Sequence, residues 1–108
     1  MFNNAPTAPY YAVIFTSVMA DETSGYDAMA EKMVSLAQQQ PGFLGMDSAR
    51  SDLGITVSYW RDLDSIRAWK SNPQHQVAQS KGQAQWYQGY TVRIAKVERD
   101  YSMEGEEE

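Results

Sequence analysis

The chain's single histidine, its three tryptophans and an arginine set inside an apolar strand all fall between Tyr59 and Arg93. These side chains are suited to moving a proton, holding an anion or stacking on a flat ring. Within that stretch Asn72 can cap a helix that Pro73 begins, and the helix should run toward Trp86 despite Gly82. His75, Ala78, Gln79, Gly82 and Trp86 recur at i, i+3, i+4, i+7 and i+11, so they share one face. Two hydrogen-bonding groups, two very small residues and an indole seal a core poorly but suit the wall of a small-molecule pocket. The plainer alternative is a shallow surface helix anchored by Trp86 alone, since helices rich in Gln and Ser are commonly solvated.

Composition limits what can surround this stretch. At 108 residues there is room for one core and not two, and 43% hydrophobic with 12% aromatic content argues against disorder. Cysteine is absent, which removes disulfides, thiolate catalysis and cysteine-ligated metals, and one histidine without a carboxylate cluster makes a metal site unexpected. The net charge of −5 comes mostly from Glu104, Glu106, Glu107 and Glu108 in a tail without apolar periodicity. The rest is near neutral and has no Lys/Arg cluster, so neither a nucleic-acid backbone nor an anionic membrane is an expected partner. The apolar segment from Tyr10 to Ala20 is too short to span a bilayer, and a cytoplasmic location is the expectation.

The elements that must position the candidate residues follow from periodicity. Residues 1–9 carry two prolines and no period and read as a lead-in arm, 10–101 as one domain, and 102–108 as an acidic tail. Tyr10 to Met19 is dense in β-branched and aromatic residues and reads as a strand. Tyr26, Met29, Ala30, Met33, Leu36 and Ala37 then recur at three and four, a helix that Thr23 or Ser24 can cap and Pro41-Gly42 ends. FLGMDSAR and ITVSYW, joined by SDLG, form an antiparallel hairpin. Asp62 or Asp64 opens a second helix, interrupted at Asn72-Pro73, and YTVRIAKVER alternates as a last strand with Val92 and Ile94 opposite Arg93 and Ala95. The order is βαββαβ, an α+β ferredoxin-like plan in which a four-stranded antiparallel sheet carries its helices on one face. Bulky residues on both parities of the first and last strands leave the other face apolar, so a homodimer packed sheet on sheet is expected.

Four segments, GYDAMAEKM (25–33), PGFLGMDSARSDLGITVSYWRD (41–62), AWKSNPQHQVAQSKGQAQWYQGY (68–90) and VRIAKVER (92–99), together resemble the antibiotic biosynthesis monooxygenase family of dimeric α/β-barrel proteins. The resemblance implies a small-molecule ligand and, in the cofactor-free members, oxidation of quinol-like, aromatic or polyketide compounds by O2. Such chemistry needs a base for the phenolic proton, donors for the developing oxyanion and an apolar cavity. On that basis His75 and Arg93 are the candidate catalytic residues, His75 as base and Arg93 as oxyanion holder. Tyr59, Trp69, Trp86 and Tyr87 are candidate aromatic walls, and Gln79 is a candidate orienting amide.

Haem-degrading members set a histidine ligand at a fixed interval after a tryptophan and an asparagine in the first strand. That interval counted from Trp69 lands on Gln79, and no asparagine lies between Tyr10 and Ala20. No cofactor is therefore the main expectation, with haem on a shifted His75 as the lesser one. Alternatives remain for each residue: Trp69 as core, Arg93 paired with a carboxylate in solvent, His75 as a surface group, and the protein as a non-catalytic binder.

Overall fold

The computed structural model describes residues 7–103; residues 1–6 of the arm and 104–108 of the acidic tail lie outside the described residues. Four strands and three α-helices alternate as β1 (Tyr10–Met19), α1 (Tyr26–Gln38), β2 (Phe43–Arg50), β3 (Gly54–Trp60), α2 (Leu63–Ser71), α3 (Pro73–Lys81) and β4 (Tyr87–Val97). A π-helical turn, Gly82–Trp86, joins α3 to β4. The sheet runs β2-β3-β1-β4 with every neighbouring pair antiparallel. This is the ferredoxin-like α+β plan.

Local chemistry explains most boundaries. Asp62 caps α2 by accepting from the Ser65 backbone N–H at 2.8 Å and its hydroxyl at 2.7 Å. Those bonds, with Arg61 beside it, hold the Asp62 carboxyl down at about 2. Asn72 caps α3 through bonds from Gln74 N–H and His75 N–H at 3.0 and 3.2 Å, with Pro73 at the first helical position. The start of α1 differs from expectation. Gly25 occupies its cap position at φ 83° with no side-chain cap bond, while Ser24 turns back to Glu22. The end of α1 leads into Gly42, at φ 85° and pressed so closely on Ser65 that any Cβ would overlap it.

Antiparallel partners share a face, so the register sorts every strand residue. One face carries the rows Arg50–Gly54–Ser17–Tyr90, Ser48–Thr56–Phe15–Val92, Met46–Ser58–Val13–Ile94 and Trp60–Tyr11–Lys96. Trp60 on this face meets Trp69 of α2, so this is the helix side. The opposite face carries Asp47–Val57–Ile14–Arg93 and Gly45–Tyr59–Ala12–Ala95. The buried apolar set is small, comprising Tyr10, Ala12, Ala37, Trp60, Ile66 and Trp86, while Ile55, Val92 and Ile94 stay exposed. Much of the apolar sheet surface is therefore uncovered within one chain.

Candidate functional site

The floor of the site is Trp60, fully buried at the end of β3, its indole N–H donating to Ser58 Oγ at 2.9 Å. Phe43 meets it edge-on at 5.3 Å between centroids, and Trp69 from α2 stacks on it at 6.2 Å with 25° between the planes. His75 then lies on Trp69 at 4.1 Å and 14°. The break at Asn72-Pro73 makes this possible. It ends α2 just after Trp69, and the restarted helix sets the His75 ring back over that indole.

The His75 ring has a defined hydrogen-bond polarity. Its Nδ1 lies 2.9 Å from the Trp69 carbonyl oxygen, which can only accept, so Nδ1 carries the proton and Nε2 keeps the lone pair. The Gln79 amide nitrogen lies 3.4 Å from Nε2, one helical turn along the same stripe. Burial holds the imidazole below its ordinary pKa, against the upward pull of the bond to the Trp69 carbonyl. A half-buried neutral imidazole whose Nε2 lone pair meets only the long contact from the Gln79 amide can act as a proton acceptor once a substrate hydroxyl displaces that amide.

The other end of the stripe is built from rings. Trp86 is 4% exposed, and its indole N–H donates to the Ser24 carbonyl at 2.9 Å, fastening the π-helical turn to the start of α1. Tyr26 meets Trp86 edge-on at 5.6 Å and Tyr87 at 5.9 Å. Tyr87 also packs on Phe15 at 5.3 Å, and it can approach so closely because Gly82 has no Cβ, which would sit 2.6 Å from the Tyr87 ring. Burial, and then the hydroxyl of Tyr26 at 3.5 Å, raise the Tyr87 phenol well above its usual pKa.

The structure brings five of the candidate residues to one side of the sheet and leaves two on the other. His75, Trp69, Gln79, Trp86 and Tyr87 belong to the helix layer or meet it. The stripe His75, Ala78, Gln79, Gly82 and Trp86 does face inward: Gly82 and Trp86 are buried and the other three half-buried, while Gln74, Gln76, Val77, Ser80, Lys81 and residues 83–85 are exposed. It meets protein groups there: Trp69 under His75, Tyr87 under Gly82, and Ser24 and Tyr26 around Trp86. Two open depressions, of about 570 Å³ over Ala30, Glu31, Val34 and Ser35 and about 320 Å³ between Gln40-Pro41 and Arg61, Asp62, Asp64, Ser65 and Ala68, are bordered by none of the candidate residues.

Tyr59 and Arg93 depart from the expected grouping. The registers Ala12↔Tyr59 and Ile14↔Arg93 place them on the face away from the helices, because their parity is opposite to that of Trp60 and Val92. Tyr59 donates its hydroxyl to Asp47 at 2.9 Å and meets Tyr10 edge-on at 6.0 Å; burial and the Asp47 carboxylate push its phenol up to about 12. Arg93 is exposed. The arginine on the helix side is instead Arg50 at the end of β2. Its sequence signal, a long cation opposite Gly54 in a tight hairpin, is visible only once the register is known.

The comparisons agree with this architecture. Residues 9–81 match the family described as antibiotic biosynthesis monooxygenase. The chain belongs to that family. It is 52% identical over 99 residues to the YqjZ protein of Bacillus subtilis strain 168, covering 90% of this chain and 87% of that one. Among solved structures it resembles Rv0793 from Mycobacterium tuberculosis, with TM-score 0.76 and 14% identity over 88% of this chain and all of that one. It also resembles SnoaB, a cofactor-independent oxygenase from Streptomyces nogalater, with TM-score 0.68 and 13% identity over 89% and 98% of the two chains. At those identities the two structures speak to fold alone. No helix among the described residues is long and apolar enough to cross a membrane.

Proposed function

We propose that this protein is a cofactor-free monooxygenase acting on a small electron-rich aromatic, quinol-like or polyketide-type compound. The observation that carries the reading is the His75 geometry, with Nδ1 committed to the Trp69 carbonyl and Nε2 left as an acceptor on a ring that burial keeps neutral. In this reading Nε2 takes the phenolic proton of a substrate lying beside the Trp69–His75 stack, and Gln79 orients it. The resulting phenolate is electron-rich enough to pass an electron to O2. Recombination of the radical pair forms a carbon–oxygen bond as a hydroperoxide. Loss of water from that hydroperoxide leaves a carbonyl, so one oxygen atom enters the product and the other leaves as water. His75 returns the phenolic proton to the peroxide, the attacked ring carbon gives up its own hydrogen with the leaving hydroxide as water, and the substrate as a whole supplies the four electrons. The likeness in fold to SnoaB, a cofactor-independent oxygenase, supports the same class of chemistry.

In this reading the protein works as a homodimer. The face bearing Ile14, Val57 and Ala95 has no helices on it, and a second copy packed sheet on sheet covers it, with Tyr59 and Arg93 serving the interface. Sedimentation should then report twice the chain mass.

A second reading, a small-molecule binder without turnover, is favoured by one observation: the imidazole and Arg93 lie on opposite faces of the sheet. Oxygen uptake with a panel of dihydroxyaromatic compounds separates the two. Uptake that falls on His75→Ala supports the first. A ligand that raises Tm with no uptake supports the second. Haem fits the site less well, since Nε2 has Gln79 against it and the ring is held flat on Trp69. A Soret shift on adding stoichiometric haem would bring that reading back.

A further inference from the structure

Arg50, Gly54, Ser17 and Tyr90 form one cross-strand row on the helix side of the sheet. Gly54 stands between the arginine and the serine, and the Arg50 guanidinium lies where a Cβ on residue 54 would be. A glycine at this position lets the long side chain lie across a neighbouring strand to reach β1. There the guanidinium donates to Ser17 Oγ and, at 3.5 Å, to the Ser17 carbonyl. Ser17 itself is 1% exposed, so the far end of Arg50 is moored to a buried group while the residue as a whole stays exposed.

A guanidinium has five N–H donors in a rigid fork, and Ser17 engages two of its nitrogens. Among the described residues the ion pairs are Arg61–Asp62 and Arg67–Asp64, so Arg50 has no carboxylate within pairing distance there. Flat rings stand beside it. Tyr90 is next in the row, and Phe15, Tyr87 and Tyr90 pack on one another at centroid distances of 5.3, 5.3 and 5.7 Å. Tyr90, 40% exposed, offers open ring surface, with its hydroxyl fixed by Gln83 at 2.7 Å. The cation is thus fixed and accessible, lacks a partner carboxylate among the described residues, and lies at the rim of an aromatic cluster. Such a group recognises a planar ligand carrying an anion that can take two parallel N–H bonds.

We infer that Arg50, moored on Ser17 across Gly54 and flanked by Phe15, Tyr87 and Tyr90, forms an anion subsite that binds aromatic carboxylates. The inference goes beyond the oxygenase reading: it concerns binding and stands whether or not the ligand is oxidised.

Titration calorimetry with 2-naphthoate and its neutral counterpart 2-naphthamide tests it on the full chain. Wild type should bind 2-naphthoate about tenfold or more tighter than 2-naphthamide, the range of a hydrogen bond to a charged group. Added salt should narrow that gap. Arg50→Gln should bring 2-naphthoate down to the affinity of 2-naphthamide and leave 2-naphthamide unchanged. Arg67→Gln, which removes the same charge from an exposed position on α2, should leave both unchanged. Far-UV circular dichroism should confirm that each variant is folded, as expected for exposed side chains. Equal affinities in wild type, no binding of 2-naphthoate, or an equal loss in the Arg67 variant would each overturn the subsite. Neither probe carries a phenol to be oxidised, so this result stands apart from the oxygen-uptake panel, whose failure would sink only the oxygenase.

Discussion

Trp60→Phe is the most informative single change, because everything under His75 rests on that indole. The substitution keeps a ring against Phe43 and Trp69 but deletes the N–H that donates to Ser58 Oγ at 2.9 Å. Losing the bond costs about 1 kcal/mol net, since Ser58 is only 8% exposed and water cannot readily replace the donor. The smaller ring also vacates space at a residue with no exposure, which adds about 2 kcal/mol for the lost contacts and residual cavity. The sum of about 3 kcal/mol lowers Tm by about 12 °C or more in a domain of this size.

Urea titrations and thermal melts followed by circular dichroism measure both quantities. Ser58→Ala alone should destabilise as well, because it strands the indole N–H, whereas adding Ser58→Ala to Trp60→Phe should recover about 1 kcal/mol by removing the orphaned hydroxyl. The reasoning is refuted if Trp60→Phe costs less than about 1 kcal/mol, or if the double variant is less stable than Trp60→Phe alone.

Three further outcomes follow from the same geometry. Because burial lowers the His75 pKa in the folded state, the unfolded chain takes up the proton first, so stability is full above the ordinary imidazole value of about 6.5 and falls as pH drops below it; urea midpoints across that window should show the slope, and His75→Gln should flatten it. Gly82→Ala should destabilise by about 1–3 kcal/mol despite alanine's higher helix propensity, because its Cβ would stand 2.6 Å from the Tyr87 ring; a melt showing stabilisation would contradict this. Asn72→Ala should cost about 1 kcal/mol by uncapping α3 and should disturb the neighbouring His75 ring, read by denaturant unfolding and by the imidazole proton resonances.

The sequence alone settles the elements and their faces where one local rule dominates. Periods of two and of 3.6 give the strands and helices in their order, Asn72 and Pro73 give the start of α3, the start of α2 narrows to Asp62 or Asp64, of which Asp62 is the cap, and the stripe from His75 to Trp86 is inward as its spacing predicts. Family membership was legible in the same stretches. What the chain could not settle by itself is anything that depends on which strands are neighbours. A strand's two faces are equivalent until pairing fixes them, so Arg93 and Tyr59 fall on the far side by the parity of the Ile14 and Ala12 registers. By the same parity Arg50 reaches the helix side, where three strands must align before Gly54 and Ser17 come under its guanidinium. Short-range periodicity is written one segment at a time, whereas a site assembled across strands exists only after residues far apart in the chain have met.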